Sequence, residues 1–286
     1  MSLSGKAKLA GVIGWPVSHS LSPRLHFYWI DKYGLDAAYV PLAVRPEDFA
    51  RVVDGLQRAA FRGVNVTVPH KQAAFALAAR ADFAAKVTGA ANLRVFGEDG
   101  IEARNTDAAG LAASLSESLG AHTLHGKTAA IWGAGGAARA AVVALCELGV
   151  ARIRLFNREL SRADALVTAL SGKISADLSA HGFADWEKQS AGLALLVNAT
   201  SAGMKGTPSL DLPLNGLPEG AAVFDAVYNP LETGLLKRAK ARHLRTIDGL
   251  GMLMHQAVPA FEAFFEVHPQ LDARLRSDLE QALHDG

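Results

Sequence analysis

Asn65, Thr67 and Lys71 fall within one short stretch, Asn65-Val66-Thr67-Val68-Pro69-His70-Lys71. An amide, a hydroxyl and an ammonium group this close together suit work on a small polar molecule, because each offers directional hydrogen bonds and the lysine adds a charge. More groups of the same kind lie elsewhere: hydroxyls at Ser20 and Ser22, amides at Asn92 and Gln256, a carboxylate at Asp107. Most also have a plainer reading. Lys71 can be an exposed helix lysine. Ser22, followed by Pro23, matches a helix N-cap with proline at the first helical position. Ser20 fits turn chemistry or a ligand contact, Asn92 a loop or strand end, and Asp107, like Thr106, a helix cap.

The elements that must position these groups can be read from the pattern. Val64, Val66 and Val68 alternate with polar residues, which predicts a strand with a packed and a polar face, ended by Pro69, with a helix carrying Lys71 near its start. Upstream, residues 9–14 read as a strand, 22–34 as a helix and 37–43 as a second strand, with a further helix from Pro46 to the turn at Gly63. Downstream, an alanine-rich helix runs to about residue 87, a strand begins within 89–95, Asp99-Gly100 marks a hairpin, and residues 108–119 form a helix. Alternating strands and helices predict a mainly parallel sheet covered on both faces, in which ligands collect beyond the carboxyl ends of the strands. Ser20, Asn65, Thr67, Lys71, Asn92 and Asp107 all fall at or just past such ends.

A second unit begins near Gly126. A strand at 128–132 leads into Gly133-Ala134-Gly135-Gly136-Ala137-Ala138 and then a helix at 139–148. That order fits the dinucleotide fingerprint: Gly133 allows the tight turn, Gly135 the close approach of a pyrophosphate, and the helix N-terminus offers unpaired N–H groups. Gly126-Lys127-Thr128 mimics the end of a phosphate-binding P-loop, but Ala121 stands where that motif needs glycine and the strand follows rather than precedes it, which excludes a nucleoside triphosphatase. The next strand, 152–156, ends in Asn157-Arg158. Arginine there, with Arg162 four residues on, suits a 2′-phosphate and favours NADP over NAD, while Glu159 opposes that charge. Beyond the strand at 193–197, Thr200 sits in a small-residue loop where a cofactor can pass. Tyr228 ends the last clear strand, 223–228, as a core, lid or ligand-contacting aromatic. A final helix carries Gly251, Met252, His255 and Gln256, with Met252 and Gln256 on one face and Pro259 expected to kink or divide it.

The 286 residues allow about two domains. Half are hydrophobic, and 29 basic residues against 28 acidic ones favour neither nucleic acid nor a lipid surface as partner. Cys146 is the single cysteine, so no intrachain disulfide forms, and no Cys/His cluster has metal spacing. No apolar run approaches the roughly 18 residues of a membrane span, so a cytoplasmic enzyme is expected, with no membrane partner and no metal.

Taken together, the motifs resemble the shikimate dehydrogenase family over nearly the whole chain. The stretches that carry the resemblance are Ser18-His19-Ser20-Leu21-Ser22-Pro23, Asn65 to Lys71, Asn105-Thr106-Asp107, Gly133 to Ala138, Asn157-Arg158 with Ser161-Arg162-Ala163, Asn198 to Met204, and Gly251-Met252-Leu253 with Gln256. The resemblance implies two α/β domains separated by a cleft: a substrate domain of residues 1–111 completed by helices at 248–286, and a Rossmann-like NADP domain at 112–247. It implies reversible, NADP-dependent reduction of 3-dehydroshikimate to shikimate by a monomer or homodimer, with Lys71 and Asp107 as the catalytic pair. Ser20, Ser22, Asn65, Thr67, Asn92, Gln256 and Tyr228 become substrate residues. Gly133, Ala134, Gly135, Gly136, Ala137, Asn157, Arg158, Arg162, Thr200, Gly251 and Met252 become cofactor residues. The chain departs from the family pattern at Leu93, Ala108 and Glu159, where threonine, glycine and threonine are usual. Leu93 and Ala108 leave room for quinate as a substrate, and Glu159 leaves room for NAD. A protein that binds NADP and an acidic metabolite without turnover is the alternative from another class, and the presence of Lys71 and Asp107 argues against it.

Overall fold

A computed structural model describes residues 3–285. The chain divides into two compact units, one comprising residues up to Thr106 together with those from Leu253 onward, the other Asp107–Met252. The family resemblance implies boundaries at 111 and 247. The shift has a local cause: the helix that opens at Asp107 packs on the helix that follows the glycine turn, and so belongs wholly to the second unit.

In the first unit the order is β1 (Lys8–Gly14), α1 (Ser22–Lys32), β2 (Ala37–Ala43), α2 (Phe49–Arg58), β3 (Gly63–Val66), α3 (Lys71–Ala76), β4 (Arg80–Ala81), α4 (Phe83–Thr88), β5 (Leu93–Gly97) and β6 (Gly100–Arg104). The strands form one sheet in the order β2-β1-β3-β5-β6-β4. β1 runs parallel to β2 and β3, while β3–β5 and β5–β6 are antiparallel. The hairpin puts Gly97 opposite Gly100, so its loop is Glu98-Asp99, one residue earlier than expected.

Two other expectations change here. The alanine-rich stretch after Lys71 is not one helix: Ala79 and Asp82 donate backbone hydrogen bonds to Ile101 and Ala103 of β6, and Asp82 then caps α4 through Ala85 N–H. A ladder bond and a cap outweigh alanine's helix propensity, which amounts to only a few tenths of a kcal/mol per residue. β3 ends at Val66, and Val68, expected on a packed face, is exposed in the turn before Lys71. Asn65 is itself buried, because this strand is covered on both faces.

The second unit contains α5 (Asp107–Leu119), β7 (Thr128–Trp132), α6 (Gly136–Glu147), β8 (Arg152–Asn157), α7 (Leu160–Leu170), β9 (Asp177–Gly182), α8 (Trp186–Gln189), β10 (Leu195–Asn198), β11 (Ala222–Asp225), α9 (Gly234–Ala241) and β12 (Arg245–Ile247). All six strands are parallel, in the order β12-β11-β10-β7-β8-β9. This is a Rossmann-like doubly wound sheet. Its core holds Trp132, Phe156 and Trp186, whose rings meet edge to face at 4.9–5.1 Å. β9 and β12 are not visible in the sequence pattern. β11 stops at Asp225, so Tyr228 lies past the strand.

α10 (Gly249–Phe265) and α11 (Ala273–Asp285) close the chain. Pro259 does not divide α10, which is one continuous helix. Ala257, Ala260, Phe261 and Phe264 are fully buried along it, and that burial offsets the roughly 3 kcal/mol a mid-helix proline costs.

Candidate active site

The first unit gathers its polar groups at one edge of the sheet. β1 and β3 deliver the segments after Gly14 and Val66 to that edge, antiparallel β5 starts there just after Asn92, and β6 ends there just before Asn105. The side chains link into a continuous hydrogen-bonded chain. Ser20 Oγ accepts from Ser22 N–H at 3.3 Å, the Ser22 hydroxyl bonds to Tyr39, and Tyr39 O–H donates to Asn65 Oδ1 at 2.8 Å. Asn65 Nδ2 donates to the Asn92 carbonyl at 3.2 Å. Asn92 Nδ2 donates to Thr106 Oγ1 at 2.9 Å and to Gln256 Oε1 at 3.2 Å, while its Oδ1 accepts from Thr106 N–H at 2.8 Å.

Five expected substrate residues, Ser20, Ser22, Asn65, Asn92 and Gln256, therefore belong to one network. Thr67 is half-buried beside it, held by its N–H to Ile13 O at 2.8 Å and by its carbonyl to His70 N–H at 3.0 Å. Tyr228 lies in the second unit, and burial raises its phenol above the ordinary value. Ser22 is not the cap of α1: it is the first helical residue, Leu21 holds the N-cap position with no side-chain bond, and the Ser22 hydroxyl goes to Tyr39 instead. Tyr39 and Thr106 complete the network, and sequence reasoning gave neither of them a substrate role. The signal for Tyr39 was present, as the one hydroxyl in the Ala37–Ala43 strand.

Tyr39 is fully buried and stacks face to face on His26, with centroids 3.9 Å apart and planes 4° from parallel. Neither His26 ring nitrogen has a hydrogen-bond partner, and burial lowers its pKa to about 3, so the ring is a neutral spacer beneath the phenol.

Lys71 opens α3. His70 before it is buried, bonded through Nε2 to Val44 O at 2.8 Å and stacked on Phe49 at 4.9 Å. The Lys71 carbonyl accepts from Ala91 N–H at 2.8 Å. Asp107 is buried in the first turn of α5, directly after Thr106. Asn105 leads into it, with Nδ2 bonded to Thr88 Oγ1 and Ala90 O at 3.1 and 3.0 Å.

In the second unit the glycine turn has the shape a pyrophosphate requires. Gly133 has φ +113°, and a Cβ there would lie 3.1 Å from Ala199 O and from Thr200 Cγ2, so only glycine fits. Cβ atoms built on Gly135 and Gly136 meet nothing within 4 Å. Gly135 is the N-cap of α6 and has no side chain to serve the first N–H groups, which leaves an open anion cradle flanked by Ala134 and Ala137. α6 begins three residues earlier than expected, which brings its N-terminus to the turn itself.

Asn157 ends β8, and its Nδ2 is bonded to Glu159 O at 2.9 Å. Arg158 is exposed. Arg162 pairs with Glu159 at 2.9 Å, so Glu159 engages the second arm of the expected cationic clamp. Thr200 is fixed by Asn198 Oδ1, which accepts from its N–H at 3.1 Å and its hydroxyl at 2.7 Å. Asn198 is held in turn by Asp225, a buried carboxylate that also accepts from Val227 N–H at 3.0 Å and the Thr233 hydroxyl at 2.6 Å. Burial raises the Asp225 pKa against the lowering effect of these three donors. Gly251 and Met252 lie in the first turns of α10, where a Cβ on Gly251 would come within 2.7 Å of Ser114 Oγ, so this glycine serves the packing of α10 on α5.

Comparison with known proteins accounts for both halves. The family described as shikimate dehydrogenase substrate binding domain matches residues 12–93. A shikimate dehydrogenase (NADP(+)) from Paramagnetospirillum magneticum is 49% identical over 279 residues, covering 96% of this chain and 99% of its own. The structure of a shikimate 5-dehydrogenase from Thermus thermophilus in complex with NADP(H) and shikimate superposes with TM-score 0.82 at 33% identity, covering 97% and 99% of the two chains. A quinate dehydrogenase from Corynebacterium glutamicum in complex with NAD superposes with TM-score 0.88 at 29% identity, covering 96% and 99%. With near-half identity across almost its full length, the polar network at one sheet edge and the glycine cradle at another, this chain belongs to the shikimate dehydrogenase family.

Proposed function

We propose that this protein catalyses the reversible, NADP-dependent reduction of 3-dehydroshikimate to shikimate. The observation that carries the reading is the linked network from Ser20 through Tyr39, Asn65 and Asn92 to Gln256, an array of hydroxyls and amides suited to a carboxylate and several hydroxyls. The names of its relatives agree with it.

The glycine turn fits a dinucleotide: the positive-φ glycine, the open positions at 135 and 136, and the uncapped helix start are what a pyrophosphate needs. Gly133 to Ala137, Asn157, Arg158, Arg162 and Thr200 are assigned to hold it, with Met252 and Gly251 nearby in sequence to the substrate residue Gln256. When bound, NADPH supplies the hydride that turns a carbonyl carbon into a secondary alcohol. Lys71 Nζ holds the proton that the carbonyl oxygen takes up, and takes it back in the oxidative direction. Asp107 orients that exchange through the substrate hydroxyls. Ser20, Ser22, Asn65, Thr67, Asn92 and Gln256 fix the ring through its carboxylate and hydroxyls, and Tyr228 is assigned to the substrate with them. The reading includes a cytoplasmic setting and a monomer or homodimer.

The test is nicotinamide absorbance with shikimate and quinate, each paired with NADP and NAD, on the wild type and on Lys71→Met. Shikimate with NADP is expected to be fastest, and Lys71→Met to lower kcat by about 100-fold or more, the scale of lost acid–base catalysis. Wild-type turnover in Lys71→Met with only weaker substrate binding would reduce Lys71 to a binding residue. A second reading, use of quinate and NAD, is favoured by the Arg162–Glu159 pair and the likeness to the quinate dehydrogenase. Equal or faster rates with that substrate pair would establish it.

A further inference from the structure

Arg94 is a buried cation for which the proposed chemistry has no direct use. It sits on β5 opposite Val64, two residues beyond Asn92, and is 0% exposed. No carboxylate pairs with it among the described residues, and its Nε has no partner. Burial lowers its pKa only to about 10, so it remains a cation at neutral pH. An unpaired charge in such a place is costly, and a hydrocarbon of similar volume would fill the same space without that cost.

What the guanidinium does is hold the back of α3. One terminal nitrogen donates to Ala74 O at 2.5 Å, the other to Leu77 O at 3.1 Å. Ala74 lies in the last turn and Leu77 is the C-cap, so these carbonyls lack intrahelical partners and sit at the negative end of the helix dipole. The front of α3 is tied to the same segment, since Ala91 N–H donates to the carbonyl of Lys71. Residues 91–94 thus hold α3 at both ends, with Asn92 of the polar network between the two ties.

We propose that Arg94 is a positioning residue for Lys71, setting the tilt of α3 and with it the place of the Lys71 ammonium relative to the substrate network. This rests on the reading of Lys71 as the proton-holding group. A helix of six residues is too short to hold its own direction, so its ties decide it. With its front tied at Ala91, a tilt of about 10° about that tie turns the Lys71 side chain with the helix and moves its Nζ by about 1 Å. A misplacement of about 1 Å can cost about 100-fold in rate. Arginine suits the task because its planar fork reaches two carbonyls at once, where lysine would reach one.

The experiment compares Arg94→Met, Arg94→Lys, Lys71→Met and the double variant Arg94→Met/Lys71→Met, with kcat and KM measured for shikimate and NADP and a thermal melt on each. Arg94→Met is expected to lose roughly 10- to 100-fold in kcat with both KM values within about threefold, Arg94→Lys to recover part of it, and the double variant to be no slower than Lys71→Met alone. Should Arg94→Met fail to fold, Arg94→Gln, which keeps one amide donor without the charge, carries the same comparison. Wild-type kcat in a folded Arg94 variant beside a slow Lys71→Met, or losses that multiply in the double variant, would overturn the inference alone. Unimpaired kcat in Lys71→Met would overturn the reading of Lys71 and the inference with it.

Discussion

Tyr39 donates its phenolic hydrogen to Asn65 Oδ1 across 2.8 Å, and Asn65 passes the connection to Asn92. One buried hydroxyl joins the serine loop to the asparagines. Tyr39→Phe keeps the ring stacked on His26 but leaves Asn65 Oδ1 without that donor, at a cost of about 1–3 kcal/mol. The expected outcome is a lower Tm together with a KM for shikimate raised more than kcat is lowered. Steady-state kinetics beside a thermal melt will show it, and an unchanged KM would mean that the network serves stability only.

His26 makes stability depend on pH. Its pKa is lowered to about 3 by burial, whereas an unfolded histidine titrates near 6.5. Between those values the unfolded chain binds a proton that the folded chain does not, so stability is full above about pH 6.5 and falls as pH drops toward 3. The loss amounts to a few kcal/mol over that window at 1.36 kcal/mol per unit. Denaturant unfolding at pH 7, 5.5 and 4.5 on the wild type and on His26→Phe checks this. The wild type is expected to lose stability faster than the variant, and parallel losses would contradict it.

The two glycines of the cofactor turn should separate folding from binding. Gly133→Ala places a methyl against Ala199 O and Thr200 at a backbone angle that alanine resists, so Tm falls. Gly135→Ala meets nothing within 4 Å and should leave the melt unchanged, while occupying the open space of the cradle. NADPH affinity in that variant is expected to drop roughly 10-fold or more, by analogy with the close approach the fingerprint glycine allows. Fluorescence titration of NADPH reads the second effect, and unaltered affinity would move the pyrophosphate elsewhere.

Glu159 restrains Arg162 through an ion pair exposed to solvent. Glu159→Thr removes a negative charge and releases the guanidinium toward a 2′-phosphate. The ratio of kcat/KM for NADP to that for NAD is expected to rise several-fold, and more at low salt, because exposed charges are screened. A ratio that stays level across 50 to 300 mM salt, chosen to span about 14 to 6 Å of screening length, would place neither residue at the phosphate.

The sequence by itself determined the two α/β units, the strand–glycine–helix order of the dinucleotide turn, and the polar residues at strand ends. These are local properties: period-two alternation, turn residues and a fingerprint all lie within a few residues of one another. It also carried the family, since many separate motifs agreed in order. Tertiary structure alone decided what those residues are bonded to. Ser22 reads as a cap from Ser22-Pro23, yet its hydroxyl goes to Tyr39, a partner on the next strand. The alanine run after Lys71 reads as one helix, yet pairing with β6 splits it. Pro259 reads as a break, yet the burial of α10 carries the helix through it. Arg94 and Asp225 gave no local signal, because their significance lies in the carbonyls and amides that distant segments bring to them. Propensity is a matter of tenths of a kcal/mol per residue, and buried partners of one or more, so wherever the two disagreed the long-range contact prevailed.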